Sequence, residues 1–82
     1  MRTKQQQVML DLAERAVEVH LPDLVDTLNL DNFKFKWSGR TYLGDYRSSK
    51  PYLWVQVYQY STGEQAVMIF DGEHTYKTEE IQ

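Results

Sequence analysis

Eighty-two residues, 41% hydrophobic and 26% charged, describe one domain (1–82) near the lower size limit for unaided folding. Such a chain has room for one sheet layer and one helical layer. The absence of cysteine excludes disulfides, thiolate chemistry and cysteine-held metal centres, and a net charge of −3 suits neither a DNA mimic nor a strongly basic binder.

The N-terminal stretch MRTKQQQVML has no apolar run of signal-peptide length, and nothing approaches a membrane span, so a cytoplasmic setting is expected. Charge is unevenly placed. Residues 33–50 carry Lys34, Lys36, Arg40, Arg47 and Lys50 against Asp45 alone. Carboxylates dominate on both sides of this segment: Asp11, Glu14, Glu18, Asp23, Asp26 and Asp31 before it, and Glu64, Asp71, Glu73, Glu79 and Glu80 after it.

Thr3-Lys4-Gln5-Gln6 has the form of a capping box, with Thr3 as the cap and Gln6 reaching back. Val8, Met9, Leu12, Ala16 and Val19 then recur at helical spacing, which predicts a helix ending near His20, ahead of Pro22. Pro22 suits the first turn of a short second helix with Leu24, Val25 and Leu28 on its apolar edge. Asn29, Asp31 and Asn32 lead into the sheet.

Phe33-Lys34-Phe35-Lys36-Trp37 alternates without a break, and Ser38-Gly39 marks a turn. The returning strand, Thr41 to Arg47, places Tyr42, Gly44 and Tyr46 on the face of the phenylalanines, with Gly44 leaving room for a ring. After the loop Ser48–Pro51, Tyr52 to Tyr60 is the strongest strand of the chain. Gln65 to Phe70 pairs back on it. A two-residue turn at Thr62-Gly63 sets Val55 opposite Phe70, Val57 opposite Met68 and Gln59 opposite Ala66. Asp71-Gly72 is the next turn, and His74 to Thr78 the last strand, with Tyr76 opposite Val67 and a frayed end over 79–82. The expected fold is α+β: an N-terminal helix and a short second helix packed on an antiparallel meander of four or five strands. The expected core is Leu12, Ala16, Leu28, Val55, Val57, Met68 and Phe70.

That register leaves an aromatic face: Tyr52, Trp54, Tyr58, Tyr60 and Tyr76, where a one-sided sheet ordinarily places charges. Two structural explanations compete with a binding role. The rings can bury against Phe33, Phe35 and Trp37 as a second core, or the first helix can lie over them. Tyrosine and tryptophan are also the residues on which interfaces concentrate their energy.

Little else carries chemistry. His20 suits the negative end of a helix dipole, and Asp71, Glu73 and His74 suit a tight turn better than a metal ion. No nucleophile–base, zinc-helix or phosphate-loop motif occurs, so neither catalysis nor a cofactor is expected. The sequence therefore points to a non-enzymatic protein-binding module, a small inhibitor or adaptor of the kind phages encode. It would dock on a larger protein through the aromatic face, rimmed by Arg40, Arg47 and Lys50. The alternative is a single-stranded nucleic-acid-binding domain that uses the basic and aromatic residues of 34–60, Tyr42 and Tyr46 among them. Against it, Lys34 and Lys36 serve equally well as the solvent face of an edge strand. A homodimer through the same face is compatible with either reading.

Overall fold

The computed structural model describes residues 2–80, and the side chains of residues 2–78. Helix α1 spans Lys4–His20 and opens on the expected capping box: Thr3 Oγ1 accepts from the Gln6 amide at 3.1 Å, and Gln6 Oε1 from the Thr3 amide at 3.0 Å. Its buried stripe is Met9, Leu10, Leu12, Ala13, Ala16 and Val17. The helix stops at Leu21, and Pro22 begins the second helical segment as a 3₁₀ turn, Pro22–Thr27, followed by another, Leu30–Asn32. Tyr46 ties these turns to the sheet, its hydroxyl donating to the Thr27 carbonyl at 3.3 Å and accepting from the Asn29 amide at 3.4 Å.

Five strands follow as an antiparallel meander: β1 Lys34–Trp37, β2 Thr41–Ser49, β3 Tyr52–Tyr60, β4 Gln65–Phe70 and β5 Thr75–Glu80. Helix α1 packs mainly over β3 and β4. The core beneath it contains Leu53, Val55, Val57, Val67, Ile69, Phe33 and Tyr46, all buried. The first hairpin matches expectation. Phe35 stands opposite Gly44 and Trp37 opposite Tyr42, and this aromatic row shares the helix-covered face with Val55 and Val57.

The β3–β4 hairpin departs from expectation by one residue. Its loop is the three residues Ser61-Thr62-Gly63, with Gly63 at φ 96° and the Tyr60 amide bonded to the Glu64 carbonyl. Gln59 therefore faces Gln65, Val57 faces Val67 and Val55 faces Ile69. Because side chains alternate, this slip turns all of β4 over. Val67 and Ile69 join the core, while Met68 and Phe70 lie half-buried on the opposite face. Leu12, Ala16, Val55 and Val57 are buried as expected, and Leu28 packs partly buried against them.

The next turn is centred on Gly72-Glu73, so Tyr76 faces Ile69 and turns inward with β4. Asp71 Oδ1 accepts from the His74 and Glu73 amides at 2.7 and 2.9 Å, which lowers its carboxyl pKa below the usual range. The expected frayed end began at Glu79, whereas β5 pairs through Glu80; residues 81–82 lie outside the described residues.

Gly44 offers a direct check of the inner face. A Cβ there would meet Phe35 Cε1 at 3.1 Å and Met9 Cε at 3.5 Å. Gly44→Ala is therefore expected to cost about 1–2 kcal/mol in urea denaturation, the scale of modest overpacking. An unchanged midpoint would mean that the Phe35 ring does not lie over this backbone.

Candidate interaction surface

The face opposite α1 is covered by no other element among the described residues. Strand alternation places Tyr52, Trp54, Gln56, Tyr58 and Tyr60 of β3 along its middle. Register adds Leu43, Asp45 and Arg47 from β2, and Ala66, Met68 and Phe70 from β4. Lys34 and Lys36 lie on the β1 side and Lys77 on the β5 side. Tyr52 is 47% and Tyr60 37% exposed, whereas Trp54 and Tyr58 are half-buried by their neighbours.

The row is stitched together by its own polar groups. The Trp54 indole N–H donates to Asp45 Oδ1 at 2.7 Å. The other Asp45 oxygen lies 3.4 Å from Arg47 Nε, and the Arg47 guanidinium stacks 4.2 Å above the Trp54 ring centre. The Tyr58 hydroxyl donates to Gln56 Oε1 at 2.8 Å. Tyr58 and Tyr60 lie nearly parallel, 7° apart with centroids 6.2 Å apart, and Tyr52 meets Phe70 edge-on at 5.7 Å. Burial, then the nearby Tyr60 and Asp45, push the Tyr58 phenol above its ordinary pKa, so it stays a neutral donor. Between Tyr58, Tyr60, Ala66, Met68 and Lys77 the surface dips into a hollow of about 200 Å³.

The sequence-expected residues are thus only partly brought together. Tyr52, Trp54, Tyr58 and Tyr60 share one face with Arg47. Arg40 and Lys50 sit in the turns at opposite ends of β2, Arg40 beside Tyr60 through the Ser61 amide and Lys50 next to Tyr52. Tyr76 is not part of the row. It lies on the helix side, stacked on His20 at 5.1 Å, and His20 Nε2 is 3.3 Å from Thr78 Oγ1. Phe33, Phe35 and Trp37 are on the helix side too, so the rings of β3 form no second core with them. Tyr42 and Tyr46 are likewise turned away from the basic side chains of β1, and Tyr46 is buried.

Sequence reasoning missed Leu43, Asp45, Met68, Phe70 and Lys77 as members of this face. Alternation within β2 is the signal that groups Leu43, Asp45 and Arg47; Met68, Phe70 and Lys77 follow only from correct register.

Charge is segregated between the layers. The outer sheet face presents Lys34, Lys36, Arg47 and Lys77 against Asp45 among the described side chains. The helical layer exposes Asp11, Glu14, Glu18, Asp23, Asp26 and Asp31, the last paired with Arg2, against Lys4 and Arg15. No helix among the described residues is long and apolar enough to cross a membrane, and no three of their His, Asp or Glu side chains converge as a metal site would require. No protein-family model, curated protein or solved structure matches the chain.

Proposed function

We propose that this chain is a non-catalytic protein-binding module, a small cytoplasmic inhibitor or adaptor, whose outer sheet face docks on an acidic patch of a larger protein. The observation that carries this reading is an aromatic strand, uncovered and already internally hydrogen-bonded, ringed by cations while the opposite layer is acidic. Such a face loses little side-chain freedom on binding and steers toward negative surfaces. Five strands about 4.8 Å apart and up to about 27 Å long span roughly 500 Å², which with side-chain relief suits a modest interface. Two copies meeting through this face would bring Arg47 and the lysines against one another, which disfavours a homodimer there.

Single-stranded nucleic acid is the second reading, favoured by one observation: Lys36, Lys34, Arg47 and Lys50 run along β1 and β2 beside the aromatic row. Ring geometry favours protein. Bases need open ring faces, and here Arg47 covers Trp54 while Tyr58 and Tyr60 lie stacked together.

Affinity capture from a lysate of the source cells, with and without nuclease, separates the two. The expected result is a captured protein that survives nuclease, is lost with Arg47→Glu and is retained with Arg15→Glu on the helical layer. Nuclease-sensitive capture would overturn the protein reading. So would micromolar binding to an oligothymidylate whose affinity falls with salt by about 0.7 log units per decade for each neutralised phosphate.

A further inference from the structure

We propose that Arg47, Lys34 and Asn32 form a preorganised receptor for one carboxylate, supplied by an Asp or Glu side chain of the docked protein. This rests on the docking reading above and names the group by which the partner is recognised. A cleft of about 360 Å³ opens on the outer face between β2 and the 3₁₀ turn Leu30–Asn32, lined by Asn32, Lys34, Asp45 and Arg47. Asn32 is held at its rim because the next residue, Phe33, is buried in the core.

Arg47 is fixed from two directions. Its guanidinium carbon lies 4.2 Å from the Trp54 ring centre, and its Nε lies 3.4 Å from one Asp45 oxygen, the other accepting the indole N–H. These contacts engage the guanidinium carbon and Nε. Its two terminal nitrogens make no hydrogen bond to another described residue, and Lys34 is in no ion pair with one. The pair of terminal N–H groups matches the two oxygens of a carboxylate, and the contacts to Trp54 and Asp45 supply part of the ordering that usually opposes such a bond.

Charge decides which anion fits. Lys34 and Arg47 supply two positive charges, and Asp45 in the same cleft cancels one. The remaining single charge balances a carboxylate. A phosphate dianion would bring a second negative charge up against Asp45. The Asn32 amide adds a neutral donor at the side of the cleft.

The test is a titration of the ¹⁵N-labelled protein at constant ionic strength with N-acetyl-glutamate amide and, separately, inorganic phosphate. The Trp54 indole N–H and Arg47 Nε–H signals report the site. The expected result is saturable, millimolar binding of the carboxylate, tighter than phosphate at neutral pH. Affinity should fall about tenfold in Arg47→Lys, which keeps the charge and loses the fork. Lys34→Gln, at an exposed strand-edge position that leaves Arg47 in place, should also weaken binding. Shifts that do not saturate, or equal affinity in Arg47→Lys, would show ordinary ionic attraction and overturn the proposal. Tighter phosphate binding would overturn it in favour of a phosphate ligand. Failure here with nuclease-resistant, Arg47-dependent capture intact removes the carboxylate receptor and leaves the docking reading standing; loss of that capture removes the docking reading itself.

Discussion

Replacing Ile69 by alanine is expected to cost about 3–4 kcal/mol of stability, and replacing its neighbour Met68 less than about 1 kcal/mol. Ile69 is 1% exposed, with Val55 on one side and Tyr76 on the other, beneath α1. Removing its outer carbons forfeits their transfer energy and leaves a cavity that a helix anchored by a capping box closes only in part. Met68 points the other way, half-buried beside Gln56 and Lys77, where solvent and flexible neighbours fill the space. An 82-residue domain has a total stability of about 4–12 kcal/mol, so the Ile69 change removes at least a quarter of it. Urea denaturation of the two variants measures the difference. A larger loss at Met68 would restore the two-residue β3–β4 turn and, with it, the opposite face for β4 and β5.

That contrast also explains how far the sequence could be read. The capping box, the stop at Pro22, the five strands and the pairing of Phe35 over Gly44 were legible, because each rests on local chemistry with one good solution. The β3–β4 register was not. Gly63 serves a two-residue turn and a three-residue loop equally well, and QAVMIF is apolar on both faces, so alternation gave no preference between Val67/Ile69 and Met68/Phe70. Tyr76 went to the wrong face for the same reason, since β5 inherits its orientation from β4. The rest of the expected row, Tyr52, Trp54, Tyr58 and Tyr60, kept its face because it belongs to β3 alone. Its supporting network did not show: Asp45 reads as a stray carboxylate in a basic segment until the register sets Arg47 opposite Trp54, with Asp45 two residues away on the same face.

Trp54→Ala is expected to weaken partner binding by about 2 kcal/mol or more, roughly thirtyfold, while costing about 1–2 kcal/mol of folding stability. The stability cost is intermediate because the ring is half-buried: it loses its contact with Arg47 and its bond to Asp45, but Asp45 stays accessible to water. In a domain this small, that corresponds to a fall of about 5–15 °C in Tm. The binding cost is larger because Trp54 orients Arg47 and holds the middle of the uncovered face, where an anchor is fully desolvated on docking. Leu43→Ala supplies the comparison, since Leu43 lies on the same face beside Tyr58 and is partly exposed, without a polar partner to strand. The two variants, each measured by thermal melt and by affinity for the captured protein, distinguish an interface from a core. A collapsed melt in Trp54→Ala would make the row a second core in its own right. A modest melt shift with unchanged affinity in both would move the docking site off this face, since the anchors of an interface concentrate in large central rings.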